Sequence, residues 1–246
     1  MAKNGNVDVQ NRLYLILSGI FIASLVSSNL IFQKFFFWTP FEFLHQEGGS
    51  GLLSWLSTCT FELSVGILPY PITFLVTDII SEIYGRNKAN QVVMSGFIAS
   101  IFIMVVVLLG DMASATDWSP VSNETFHDVF GLFGPAVFAS MTAYLIAQFI
   151  DIRMFHFWKT LTKGKHLWLR NNGSTIFSQL VDTSSVLLLL CYFGVLDWGK
   201  FGILFMNGFI FKVFIAAIDT PFFYIFSYLL RTSFGLKLGE ELNSEG

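Results

Sequence analysis

Val92 to Leu109 contains no charged residue, and several other apolar stretches of the chain approach it in length. A backbone crossing lipid must satisfy its own polar groups, which leaves a helix of roughly 20 apolar residues as the simple solution. Of the 246 residues, 54% are hydrophobic and 13% charged, and 29 are phenylalanine. A soluble globular domain carries a charged fraction of about 25%. No polar stretch is long enough to enclose a core of its own, so residues 1–246 read as a single membrane domain.

Six spans are expected, at about 12–36, 66–84, 90–110, 132–153, 175–196 and 201–230. They make an all-α integral membrane protein with its helices in one bundle, flanked by tails at 1–11 and 231–246. The first apolar run is too long for a signal peptide and lacks a small-residue cleavage site, so it is expected to stay as the first helix. Span six carries Lys212, Asp219 and Pro221, which predicts a tilt or a proline kink.

Basic residues set the orientation. Lys3, Arg12, Arg86, Lys88, Arg153, Lys159, Lys163, Lys165, Arg170, Arg231 and Lys237 fall in alternate connections and at both ends. The other connections hold Glu42, Glu47, Asp111, Asp117, Glu124 and Asp128, with Lys34 and Lys200 as the basic exceptions. The positive-inside rule places both termini in the cytoplasm. That asymmetry accounts for the basic loop without any nucleic acid as partner.

One segment breaks the helical pattern. Phe61, Leu63, Val65 and Ile67 alternate with Glu62, Ser64 and Gly66, a period of two. Pro69 and Pro71 restart the chain, and Pro71 suits the first turn of a helix. Extended backbone at membrane depth has to be buried in protein or line a cavity. The segment, with the loop from Trp38 to Thr60 and its Gly-Gly-Ser-Gly tip, reads equally as an external lid or as a surface linker.

Polar residues inside the apolar stretches carry the functional signal, since an ionised group in hydrocarbon normally faces a partner, a cavity or a substrate path. Asp182 sits within Ile176 to Leu196, with Gln179 one turn earlier and Thr175 a turn before that. Phe74, Asp78 and Glu82 share a face that continues to Arg86. A Glu82–Arg86 pair at the helix end is the structural reading there. Asp78, a turn deeper, reads equally as a substrate ligand or a helix clamp. Ser140, Tyr144, Gln148 and Asp151 form a stripe on span four; Gln148 offers both donor and acceptor, and Asp151 is expected to pair with Arg153 or Arg170. Lys212 and Asp219 on span six are expected to neutralise each other or partners on adjacent helices. On span one, Ser24, Ser27, Ser28 and Asn29 suit either close helix packing or ligand contact.

Other chemistries lack their residues. There is no GxxxxGK[ST] loop, no HExxH pair and no GxSxG elbow, and Cys59 and Cys191 give no metal-ligand spacing. A single cross-link between these two cysteines stays open. His45, His127, His156 and His166 scatter over loops and helix ends. No enzyme, cofactor or metal site is expected.

Four segments together resemble one family closely, the queuosine precursor transporters, also called the vitamin uptake transporter family. They are ILPYPITFLVTDIISEIYGR at Ile67–Arg86, LIAQFID at Leu145–Asp151, KHLWLRNNGSTIFSQLVDT at Lys165–Thr183, and the pattern Lys212…Asp219-Thr220-Pro221. The likeness runs from span one to span six, while the 38–60 loop looks individual to this chain. It implies a bacterial inner-membrane importer of 7-deazaguanine precursors, such as 7-cyano-7-deazaguanine or its aminomethyl form. It also implies an architecture similar to the substrate-binding subunits of energy-coupling-factor importers. A guanine-like edge presents adjacent N–H donors to a carboxylate, and its plane stacks on aromatic rings. The candidate substrate-binding residues are Asn29, Asp78, Gln148, Gln179, Asp182, Lys212 and Asp219. A stand-alone carrier, coupled to protons through Asp182 or Asp219 or not at all, and a binding subunit for an ATP-driven partner are the two readings. The partners are the lipid bilayer and a small-molecule deazapurine, with a homo-oligomer left open.

Overall fold

The computed structural model describes residues 2–42, 60–131, 135–194 and 196–242. Helix α1 (Ala2–Ile31) leads into strands β1 (Phe35–Trp38) and β2 (Phe61–Ser64) and a 3-10 turn at Val65–Ile67. Then follow α2 (Tyr70–Ile83), α3 (Arg86–Met112), α4 (Asn123–Phe130), α5 (Pro135–Leu161), α6 (Leu167–Tyr192) and α7 (Trp198–Phe234). Among the described residues, five helices are long and apolar enough to cross a membrane: Val7–Ile31, Val65–Ile83, Arg86–Met112, Leu167–Tyr192 and Trp198–Phe234. Helix α5, which coincides with expected span four, packs along α6 and touches α2 and α3.

The bundle is apolar outside and polar within. Ile98, Phe102 and Leu109 on α3 are 60%, 64% and 62% exposed, a density of bare apolar surface that lipid, not water, would cover. Inside, Asp78, Glu82, Gln148, Asp151, Arg170, Gln179 and Asp182 are all buried. Apolar packing between α1, α2 and α3 centres on Phe21, Leu25, Ile80, Val92 and Val93. A smaller cluster of Ile79, Phe155, Leu167 and Phe223 ties α2 to α5, α6 and α7.

Span one lies nearer the N-terminus than expected, its helix taking in residues 2–11 of the expected tail. The helix stops at Ile31, and Phe35–Trp38 becomes a strand paired antiparallel with Phe61–Ser64. The register sets Phe35 opposite Ser64 and Trp38 opposite Phe61. Aromatic residues favour the pleated surface, and pairing supplies the backbone partners that an extended segment needs at membrane depth. The period-two alternation is thus expressed as β2, followed by a 3-10 turn rather than a longer strand. Trp38 packs edge-on against Phe211 of α7 with ring centroids 5.1 Å apart, which holds the ribbon against the bundle. The expected lid falls mostly on residues 43–59, outside the described residues.

Gly66 is where α1 and this ribbon meet most closely. Ser28 Oγ donates to the Gly66 carbonyl, and Ser64 Oγ donates to the Phe32 carbonyl. A Cβ on Gly66 would lie 2.8 Å from the Ser28 carbonyl oxygen and 2.9 Å from Phe32 Cα, so only glycine fits. The serines of span one therefore serve close packing at this point. Pro71 lies in the first turn of α2 as expected. Gly85, at φ +82°, makes the turn from α2 into α3.

Helix α6 begins at Leu167, eight residues before the expected start of span five at 175. The polar stretch LWLRNNGST is helical because it turns inward: Arg170, Asn171 and Ser174 are buried, and Arg170 finds Glu82 and the Gly164 carbonyl. Helix α7 runs unbroken through Pro221. The short α4, which the apolar pattern does not announce, is capped by Ser122, whose Oγ accepts from the Thr125 N–H.

Candidate functional site

The polar interior is arranged in tiers along α2, α5, α6 and α7, about one helical turn apart. The uppermost tier borders the main cavity, of about 270 Å³, at the end of the bundle that carries the β-ribbon. Ser28 and Asn29 of α1, Glu62 of β2, Tyr70 of α2, Tyr144 of α5 and Asp182, Thr183 and Lys212 supply its polar wall. Apolar residues such as Phe35, Leu63, Val186 and Leu204 supply the rest.

Asp182 and Lys212 make the central contact. Lys212 Nζ lies 2.6 Å from Asp182 Oδ2 and donates to Thr183 Oγ1 at 3.1 Å. The Tyr70 hydroxyl donates to the same Oδ2. Lys212 Nζ also sits 4.3 Å from the centroid of the Tyr70 ring, a cation–π contact. Two groups, the Lys212 ammonium and the Tyr70 hydroxyl, therefore converge on one oxygen of the carboxylate. The other oxygen, Asp182 Oδ1, is buried and has no hydrogen-bond partner among the described residues. A buried acceptor left open costs about 1–3 kcal/mol, which a donor brought to it would offset.

Beneath this tier, Tyr144 and Gln148 form a second. Gln148 Nε2 donates to the Tyr144 hydroxyl at 2.6 Å, and Thr77 Oγ1 approaches Gln148 Oε1 at 3.5 Å. The Tyr144 and Tyr70 rings meet at 5.4 Å, so Tyr144 touches both the cavity and the tier below. The third tier holds Asp78 and Asp151, whose carboxyl groups lie within hydrogen-bonding reach of each other. Ser178 Oγ donates to Asp151 Oδ1 at 2.9 Å.

The fourth tier closes the opposite, basic end. Arg170 Nη2 donates to Glu82 Oε1 at 2.5 Å, Arg231 donates to the same atom, and Lys159 Nζ lies 3.6 Å from Glu82 Oε2. Lys159 also pairs with Glu241 at 2.9 Å, and the Leu242 N–H donates to the Ile83 carbonyl at 2.8 Å. The segment after α7 thus lies across the bottom of the column.

Two expected pairings are corrected. Glu82 pairs with Arg170 and Arg231, whereas Arg86 is exposed at the start of α3. Asp151 has no ion pair among the described residues; Arg170 points to Glu82 and Gly164 instead. In both cases tertiary contact between helices outcompetes the neighbour in sequence. Lys212 does find its partner on an adjacent helix, as expected.

Of the seven candidate residues, Asn29, Asp182 and Lys212 line the main cavity. Asn29 Nδ2 also donates to Ser100 Oγ at 3.3 Å. Gln179 and Asp219 line a small neighbouring cleft on the far side of Tyr70 and Lys212. Asp78 and Gln148 lie deeper, so Gln179 and Asp182 do not face one cavity despite their shared helix face. The side chain of Ser140, as well as Cys59, His45 and Glu47, lies outside the described residues. Tyr70, Thr183 and Glu62 were missed. Tyr70 stands inside the family-like segment ILPYPITF, and Thr183 directly follows Asp182; Glu62 carried no signal beyond its place in the alternating strand.

Apolar outer faces, an ionic polar column and a cavity at one end define a multi-pass membrane protein with a small-molecule pocket. The chain belongs to the family described as "Putative vitamin uptake transporter", which matches residues 64–226. It is similar to a "Probable queuosine precursor transporter" of Bacillus subtilis (strain 168), 28% identical over 165 residues, 65% of this chain and 70% of that protein. A "Probable queuosine precursor transporter" of Haemophilus influenzae is 26% identical over 217 residues, 86% of this chain and 85% of that protein. No solved structure matches the chain.

Proposed function

We propose that the chain is a stand-alone carrier importing a 7-deazaguanine precursor of queuosine across a bacterial inner membrane. It crosses six times, α5 serving as span four beside the five apolar helices, with both termini in the cytoplasm. The cavity then faces outward and the Glu82 tier seals the cytoplasmic side. Two relatives named for queuosine precursor transport support the substrate class.

The observation that carries the reading is Asp182, a residue of the cavity wall with one carboxylate oxygen that no described group of the protein satisfies. A guanine-like ring offers N–H donors from one edge, and Asp182 Oδ1 accepts from it. Lys212 and Asn29 are donors for the ring carbonyl, and Tyr70 and Tyr144 provide aromatic surface for the plane. At about 270 Å³ the cavity lies just below the ~300–1,000 Å³ typical of drug-sized ligand sites. That suits a single fused ring system without a sugar.

Uptake of radiolabelled 7-cyano-7-deazaguanine into proteoliposomes containing only this chain tests the proposal. Saturable uptake, blocked by unlabelled precursor and not by riboflavin or biotin, is expected. Binding without uptake would favour instead a binding subunit that needs an ATP-driven partner. Neither binding nor uptake would remove the substrate assignment.

A further inference from the structure

The third tier poses an electrostatic problem that its own residues do not solve. Asp78 is 1% exposed and Asp151 fully buried, on facing helices α2 and α5. Neither has an ion pair among the described residues. Asp78 Oδ1 and Asp151 Oδ2 are buried without any hydrogen-bond partner among the described residues, while the other oxygen of Asp151 accepts from Ser178.

Among the described residues the surroundings offer no neutralising charge. From α2 itself Glu82 bears on Asp78, and from α7 Asp219 does, both acidic. From α6 come the hydroxyls of Ser174 and Ser178. From α5, Gln148 and Tyr144 stand above, occupied with each other. The cations of the tier below, Arg170, Arg231 and Lys159, are engaged by Glu82, and Lys212 above is engaged by Asp182. Two carboxylates in contact inside a bundle without a counter-ion cannot both be ionised. A proton between the two open oxygens satisfies both at once: one carboxylic acid donates O–H to the other carboxylate.

We propose that Asp78 and Asp151 form a shared-proton site, and that this proton travels inward with the cargo. The coupling rests on the carrier reading above; the shared proton does not. The site lies one tier below Tyr144 and Gln148, between the cargo cavity and the cytoplasmic seal, where a cotransported ion has to pass. Asp182, by contrast, is paired with Lys212 and suits the cargo rather than the proton.

Infrared spectroscopy of the purified full-length chain in lipid nanodiscs, without cargo, tests the proton directly. The wild type at neutral pH should show the C=O stretch of a buried carboxylic acid that shifts in heavy water. Asp78→Asn and Asp151→Asn should each abolish it, because the amide N–H takes the place of the acid O–H. That replacement also preserves the contact, so both variants should fold. In proteoliposomes, an outside-acid gradient of one pH unit should concentrate 7-cyano-7-deazaguanine about tenfold, for one proton per molecule carried. Both variants should still exchange labelled for unlabelled precursor while their gradient-driven accumulation falls to about onefold, no concentration at all. A band absent from the wild type, or present and untouched by both substitutions, would overturn the shared proton. Accumulation in the variants equal to wild type, or driven by a sodium gradient alone, would overturn the coupling. If the wild type moves no precursor while the band behaves as described, the carrier reading and the coupling fail and the shared proton stands.

Discussion

Arg170 and Glu82 are 88 residues apart in sequence and meet at 2.5 Å, with both side chains wholly buried. Arg231 joins the same carboxylate from α7. One acidic side chain thus gathers three helices at the basic end of the bundle, and its loss leaves buried cations without a counter-charge.

Replacing Glu82 with glutamine should therefore destabilise the protein by about 3–5 kcal/mol, the usual result of breaking a buried pair from one side. A second change, Arg231→Met, should recover part of the loss by removing one stranded cation. Melting temperature in detergent for the single and double variants checks this; an unchanged melting point for Glu82→Gln would refute the tier as a structural clamp.

At the cavity, Asp182→Asn should weaken binding of 7-cyano-7-deazaguanine by about 2–4 kcal/mol, since an N–H replaces an acceptor of charge-assisted bonds. That is roughly thirtyfold or more in affinity. The same change releases Lys212, so stability should fall as well, and Asp182→Asn with Lys212→Met should restore folding without restoring affinity. Full binding by the rescued double variant would make Asp182 purely structural.

Gly66→Ala tests the approach of α1 to the ribbon. The added methyl meets backbone at 2.8 Å, which has no rotamer to escape through. Overpacking of this kind costs about 1–3 kcal/mol, and because Glu62 and Ser64 line the cavity, cargo affinity should drop too. A variant with wild-type melting and binding would show that the ribbon yields freely.

His127 on α4 gives a pH signature outside the membrane spans. Its Nδ1 lies 2.8 Å from Asp111 Oδ2, and this hydrogen bond, with the charge of Asp111, raises the imidazole above its ordinary value of 6.5. The folded value exceeds the unfolded one, so the contact's contribution is complete below pH 6.5 and fades as pH rises through the raised value. Nuclear magnetic resonance titration should place the His127 midpoint above 6.5, and Asp111→Asn should bring it back.

Orientation is open to chemical labelling. In a chain whose own cysteines are replaced by alanine, Ser114→Cys should react with a membrane-impermeant thiol reagent added to intact cells, and Lys165→Cys should not. Labelling at position 165 would reverse the topology.

Much of the bundle was legible because lipid imposes long apolar runs, and α2, α3, α6 and α7 fall where those runs lie. The ribbon was half legible: period-two alternation marked Phe61–Ser64, but Phe35–Trp38 is aromatic throughout and reads as the tail of a span. The start of α6 was misplaced for a physical reason. Polarity suggests proximity to water, whereas Arg170, Asn171 and Ser174 are buried in the interior, where Arg170 meets Glu82. Individual site residues were visible as charges in apolar surroundings, yet their partners were not. Spacing along one helix reports a shared face, and says nothing of which residue on another helix stands opposite. Hence Asp182 and Lys212 both stand out in the sequence, while the pairings expected there, Glu82 with Arg86 and Asp151 with Arg153 or Arg170, are ones the fold does not use.

The stacked tiers also act as an index for assembly. Apolar helices in lipid have little to choose between one vertical offset and the next, because lipid tails wet every offset equally well. Here Asp182 must reach Lys212, Asp151 must reach Ser178, and Glu82 must reach Arg170. Sliding any of these helices by a turn, about 5.4 Å, would break every such match it makes at once. The same few polar groups that line the interior therefore single out one vertical alignment of the helices.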